Sequence, residues 1–115
     1  MRVGAGPAVA CFEFHGRGTL GGLIPNPKLR RFIESTAQEL NIPLQREVLI
    51  GIITDAAFSQ LLTEGGVPMA ALAIPTRYTH APVESCSLQD IEQAVQILVE
   101  VARRFNADID LSREG

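Results

Sequence analysis

The sequence predicts an α/β fold, a largely parallel sheet covered by helices, in a single domain spanning residues 1–115. Three observations predict it. Short apolar runs of strand length alternate with longer stretches whose apolar residues recur at helical spacing. Hydrophobic residues are 46% of the chain and charged residues 20%, enough to build a buried core. Aromatics are only 5% and Trp is absent, so Leu, Ile, Val and Ala must carry the packing, as in strands buried beneath helices.

The elements follow in order. Ala8 to Phe14 is an apolar run between Gly6-Pro7 and His15-Gly16, the flanks of a buried strand. From His15 to Asn26 the chain is too rich in glycine for a regular element and reads as a mobile or substrate-facing loop. Asn26-Pro27 starts a helix, since Asn caps and Pro at the first position gives up an N–H that has no partner there. Leu29, Phe32, Ile33, Thr36, Ala37 and Leu40 form its apolar side, and Asn41-Ile42-Pro43 ends it. Glu47 to Ile53 is β-branched and aliphatic, a second strand, and Thr54 or Asp55 then caps a helix running to about Glu64. Gly65-Gly66 stops that helix, and Val67 to Ile74 reads as a third strand ending at Pro75. Ser87 with Asp90 three residues later resembles a capping box. Ile91, Ala94, Val95, Leu98, Val101, Ala102 and Phe105 form the stripe of the last helix.

Composition also excludes function classes. A net charge of -3 with scattered Lys and Arg gives no basic footprint, so nucleic acid is not an expected partner. No apolar run has the length of a membrane span or the layout of a signal peptide. Cys11 and Cys86 make no metal-type pair, and the expected compartment is the reducing cytoplasm.

In helix-covered parallel sheets, ligands gather beyond the carboxyl ends of the strands. That directs attention to Thr54-Asp55 and to the loop from Thr76 to Cys86. The run Ile74-Pro75-Thr76-Arg77-Tyr78-Thr79-His80-Ala81-Pro82-Val83-Glu84 sets a guanidinium, a phenol, an imidazole and a carboxylate on one connection, dense for a simple connector. With Gly51-Ile52-Ile53-Thr54-Asp55-Ala56 and Glu64-Gly65-Gly66-Val67-Pro68 before it, this loop resembles the tetrahedral and deblocking aminopeptidases. These are co-catalytic di-metal enzymes also named glutamyl aminopeptidases or endoglucanases. Gly4-Ala5-Gly6-Pro7-Ala8, Pro27-x-Leu29 and Asn41-Ile42-Pro43-x-Gln45 extend the resemblance through most of the chain.

The resemblance implies the C-terminal part of a zinc-peptidase-like catalytic domain, acting on peptides through two divalent ions, zinc or cobalt. Such ions lower the pKa of bound water and polarise the scissile carbonyl while a Glu moves the proton. By the same resemblance His80 is the family's last metal ligand. Asp55, Arg77, Tyr78 and Glu84 are expected to lie behind the metal or face the substrate. Each also has a plainer role: Asp55 capping its helix, Arg77 and Tyr78 solvated, Glu84 fixing the loop. His15 matches no family ligand and reads as solvated.

The chain also departs from the family. Ile52-Ile53 stand where relatives commonly carry Gly-Gly. The early His, the bridging Asp, the adjacent glutamates, the later Asp and the inserted β-rich domain used for twelve-subunit assembly have no matched positions. One histidine cannot hold two metals, so the expected protein is a fragment of a cytoplasmic metallo-aminopeptidase, inactive alone, with no catalytic residue assigned. Self-association is expected, or a missing N-terminal portion, in the same chain or supplied separately. The alternative is an α/β binding or assembly module that has lost catalysis. A glycosidase is not supported, because no pair of carboxyls suggests itself across a sugar.

Overall fold

The computed structural model describes residues 1–15, 21–50, 67–106 and 108–112. The expected helix from Thr54 to Glu64 lies outside the described residues. Strand β1, Ala8–His15, is the axis of the main sheet, close to the expected range. One edge pairs in parallel with β3, Gln45–Ile50, and the other is shared. There β4, Leu72–Ala73, pairs antiparallel with the start of β1, and β2, Gly21–Leu23, pairs antiparallel with its end.

The sheet is therefore mixed rather than largely parallel: among the described residues one pairing is parallel and two are antiparallel. Part of the predicted loop after β1 returns as β2. The link of residues 16–20 is too short for a crossover, which needs a dozen residues or more, so the returning strand can only run antiparallel. Val67 to Ile74 is an apolar run that reads the same in either direction, and only its Leu72–Ala73 part is strand.

Helix α1, Pro27–Glu39, forms as its punctuation dictates. Asn26 Oδ1 accepts the amides of Lys28 and Leu29, both at 3.0 Å, and Pro27 occupies the first turn. At the other end Asn41 adopts φ 56°, its amide donates to Gln38 O, and the Ile42 amide donates to Ala37 O. These two bonds complete a Schellman motif, and Ile42 joins Ala37 in the core as the hydrophobic partner such a motif favours. Ile33, Ala37 and Ile42 meet Val9 of β1 and Ile97 of helix α2, Leu88–Arg104. Ala10, the next residue of β1, points to the opposite side of the sheet and packs with Leu23, Met69 and Ala71.

Helix α2 buries only part of its expected stripe, Ala94 with Val101 packed against the core, and turns most of the rest outward. Asp90, Ala94 and Ile97 are buried, whereas Val95, Leu98 and Phe105 are about half exposed. The helix is apolar on more than one side, so periodicity alone allows neighbouring registers. Asp90 chooses between them. Ser87 is the N-cap residue, but its side chain makes no capping bond and Asp90 does not complete a capping box. Instead the fully buried Asp90 carboxylate accepts the amide of Gly4 on Oδ2 at 2.7 Å and that of Gly6 on Oδ1 at 3.0 Å. The first turn of a helix also favours a negative charge.

The N-terminal segment is held from a second side. Gln45 Oε1 accepts the Arg2 amide at 2.7 Å, and its Nε2 donates to Arg2 O and Gly6 O, both at 2.8 Å. Gly6 has φ 101°, and a Cβ there would lie 2.1 Å from the carbonyl oxygen of Pro43. Glycine is thus required twice over, by conformation and by space.

A bulge at Cys11 breaks the register between β1 and β3. In an unbroken strand Glu13 would share the side of Val9, beneath the helices. The extra residue inverts the alternation and brings Glu13 to the side of Ala10 and its partner Glu47. Glu13 and Glu47 are 2% and 4% exposed and are hydrogen-bonded to each other. Burial first, and then the charge of Glu13, raises the pKa of Glu47 above the ordinary 4.5.

Two predictions follow from these buried carboxyls. Replacing Asp90 by Ala leaves two amides without acceptors and is expected to cost about 3 kcal/mol in urea unfolding, with Asp90→Asn costing less because one acceptor remains. For Glu47 the folded-state pKa is raised, so native protein holds the proton more tightly than the unfolded chain. Its stability contribution is full below 4.5 and is lost as pH rises through the folded value. Glu47→Gln should therefore gain on the parent protein as pH climbs through that window. A stability gap between the two that stays constant with pH would contradict this.

Candidate functional site

The predicted site loop is a small hairpin. Strand β5, Thr76–Arg77, pairs antiparallel with β6, Ser85–Cys86, in the register Thr76↔Cys86 and Arg77↔Ser85. Pro75, fully buried, anchors the segment just before β5. Within the loop the Ala81 amide donates to Tyr78 O at 3.0 Å, and the Thr76 and Thr79 hydroxyls share a hydrogen bond of 2.8 Å.

Two residues of the loop hold left-handed backbone without being glycine, Tyr78 at φ 64° and His80 at φ 66°. Each such residue costs about 1 kcal/mol or more, so the surrounding bonds must enforce it. One of these bonds runs from the His80 amide to Glu84 Oε1 at 3.2 Å. His80 is exposed, and its ring makes no hydrogen bond among the described residues. The imidazole is thus presented to solvent on a constrained backbone.

The structure brings Arg77, Tyr78, His80 and Glu84 together on one hairpin. Glu84 spends one carboxylate oxygen on the loop's own amide, and Arg77 and Tyr78 are exposed. Asp55 lies outside the described residues. His15 closes β1 through its backbone. Among the described residues no group of three or more His, Cys, Asp or Glu side chains is placed to hold a metal ion. An ion needs about four ligands in a structural site and three protein ligands in a catalytic one, so the described residues do not by themselves fit the expected metals.

The polar groups that sequence reasoning missed are the buried ones. Asp90, expected to complete a capping box, is instead the anchor of the N-terminal segment. Periodicity assigns no role to the side chains of Glu13 and Glu47, although a charged residue inside the apolar run Ala8 to Phe14 is a signal in plain view. Both cysteines, Cys11 and Cys86, are free thiols. No described helix is long and apolar enough to cross a membrane.

The family model of the M42 glutamyl aminopeptidases matches residues 1–97. SgcX of Escherichia coli strain K12, a protein named as a candidate aminopeptidase, is 46% identical over 102 residues, covering 89% of this chain and 27% of its own. The crystal structure of the TET aminopeptidase from the marine sediment archaeon Thaumarchaeota archaeon SCGC AB-539-E09 superposes with a TM-score of 0.84 at 30% identity, over 95% of this chain and 28% of that one. The TET1 peptidase of Pyrococcus horikoshii, which can assemble into a tetrahedron or a large octahedral shell, gives 0.66 at 26% identity over 89% of this chain and 27% of that one. The chain thus spans a little over a quarter of the length of these relatives. A match this long, through strands, helices and hairpin alike, makes the chain a member of the M42 glutamyl aminopeptidase family.

Proposed function

We propose that this chain is the C-terminal portion of the catalytic domain of a metal-dependent aminopeptidase, in which His80 supplies one ligand to a divalent ion. The observation that carries this reading is the exposed imidazole held on left-handed backbone at the tip of the β5–β6 hairpin. Strained backbone is retained where a side chain must be aimed, and neutral imidazole is a good ligand for zinc or cobalt. Arg77 and Tyr78 are the neighbours that would meet the substrate, Glu84 orients the His80 backbone, and Asp55, outside the described residues, is carried as a supporting residue by the family resemblance alone.

No hydrolytic step belongs to the described residues alone. Two ions would need ligands and a proton-carrying carboxylate that accompany His80 only in a longer or assembled protein, so the isolated chain is inert. Cytoplasmic residence agrees with the two free thiols. Self-association agrees with the exposed apolar side of α2, where Leu88, Val95 and Val99 are 80%, 53% and 61% exposed. The same exposed side also favours a second reading, a non-catalytic assembly module of the same family.

Co-expression of this chain with the N-terminal portion of a full-length relative separates the two. With cobalt or zinc and an aminoacyl chromogenic substrate, the pair should turn over, and His80→Ala should lower both bound metal and rate, the rate by at least about 100-fold. Turnover by the isolated chain would refute its inertness, and unchanged metal content in His80→Ala would remove His80 from the site. Size-exclusion chromatography should show an associated species that Val99→Asp shifts toward monomer.

A further inference from the structure

We infer that the cleft between the N-terminal segment and the β4–β5 turn binds a small oxyanion, a carboxylate or a phosphate, between Arg2 and Arg77. The cleft has a volume of about 310 Å³ and is lined by Met1, Val3, Pro75 and Thr76 besides the two arginines. That size lies at the lower end for small-molecule sites.

Charge pairing and position together mark this place: three described arginines, Arg2, Arg31 and Arg77, have no acidic partner among the described residues, and two of them line this one cleft. Lys28 pairs with Asp110, Arg30 and Arg46 share Glu34, and Arg103 and Arg104 share Glu100. Arg2 and Arg77 have no acidic partner among the described residues, although the chain carries 13 acidic residues against 10 basic ones. Two arginines line one small cleft, and an anion held there would be attracted by both guanidiniums. The planar fork of each matches two oxygens of a carboxylate or phosphate.

The backbones beneath both arginines are already fixed. Gln45 grips Arg2 through its amide and its carbonyl, and the Gly4 and Gly6 amides are locked on Asp90. Arg77 sits in the β5–β6 ladder opposite Ser85. Only side-chain freedom is lost on binding, which keeps the cost of ordering small. Met1 and Val3, both exposed, give the cleft an apolar wall beside the cations, which suits a carboxylate attached to a short aliphatic group. The site stands whether or not an assembled enzyme hydrolyses peptides.

The test is an NMR titration of the isotopically labelled full chain with 4-methylpentanoate, its neutral amide and inorganic phosphate. Saturable shifts confined to the amides of Arg2, Val3, Thr76 and Arg77 are expected, with millimolar affinity for the anions and none for the neutral amide. The stronger of the two anions identifies the source of the oxyanion. Arg2→Gln and Arg77→Gln should each weaken binding by about two- to fivefold, as expected of one exposed ion pair, while the surface variant Arg31→Gln leaves it unchanged. Both arginines are exposed, so unaltered spectra elsewhere will confirm an intact fold. Equal shifts with the neutral amide, equal loss in Arg31→Gln, or unsaturable shifts scattered over the surface would each overturn the assignment.

Discussion

The Asp90 carboxylate is the contact on which the rest of the chain depends. It joins the first residues to the last helix across separations of 86 and 84 positions, and it is wholly buried. A carboxyl group removed from water is tolerable only if hydrogen bonds replace its hydration, and two glycine amides aimed at its two oxygens do so. The Gly4-Ala5-Gly6-Pro7 motif thereby gains a physical meaning. Gly4 and Gly6 take left-handed conformations that turn their amides toward Asp90, while Gly6 lets the chain pass against Pro43. From that fixed point β1 starts in register, and α2 is rotated so that Ala94 and Ile97 rather than Val95 and Leu98 enter the core.

Other polar contacts close the same frame. Asn26 caps α1, donates its backbone amide to Met69 O, and through Nδ2 donates to Leu111 O in the C-terminal segment. Gln45 joins the start of β3 to Arg2 and Gly6. Arg104 bridges Glu39 of α1 and Glu100 of α2, and Phe32 meets Phe105 edge to face across the two helices. Arg103 first, then Arg104, holds the Glu100 carboxyl down near 2. These exposed pairs orient the helices more than they stabilise them, because solvent screens them. The direction of packing comes from the buried groups.

The candidate site is built on the opposite principle. Its hairpin holds an imidazole and a phenol outward on strained backbone, secured by short-range bonds within residues 76–84. Such a loop has little value to the core, and its strain is understandable if a bound partner is what the geometry serves. The chain belongs to its family while covering about a quarter of each relative's length, and among the described residues no group of three or more His, Cys, Asp or Glu side chains is placed to hold an ion.

The sequence by itself determined the local features. The Asn26-Pro27 start of α1, its end at Asn41, the first strand and the family motifs are each set by residues within a few positions of one another, where capping, steric limits and apolar period act directly. The identity of His80 as the residue to examine also lay in a contiguous motif. What only the tertiary structure decided is long-range: the antiparallel pairings of β2 and β4, the inversion at Cys11 that buries Glu13 beside Glu47, the turn of α2, and the meeting of Arg2 with Arg77 across one cleft. An apolar run carries no mark of its strand direction. A helix apolar on several sides carries no mark of the side it will bury. Asp90 supplies both its side and its partners only when the chain folds back, because hydrogen-bond satisfaction in a buried place is a property of the whole fold.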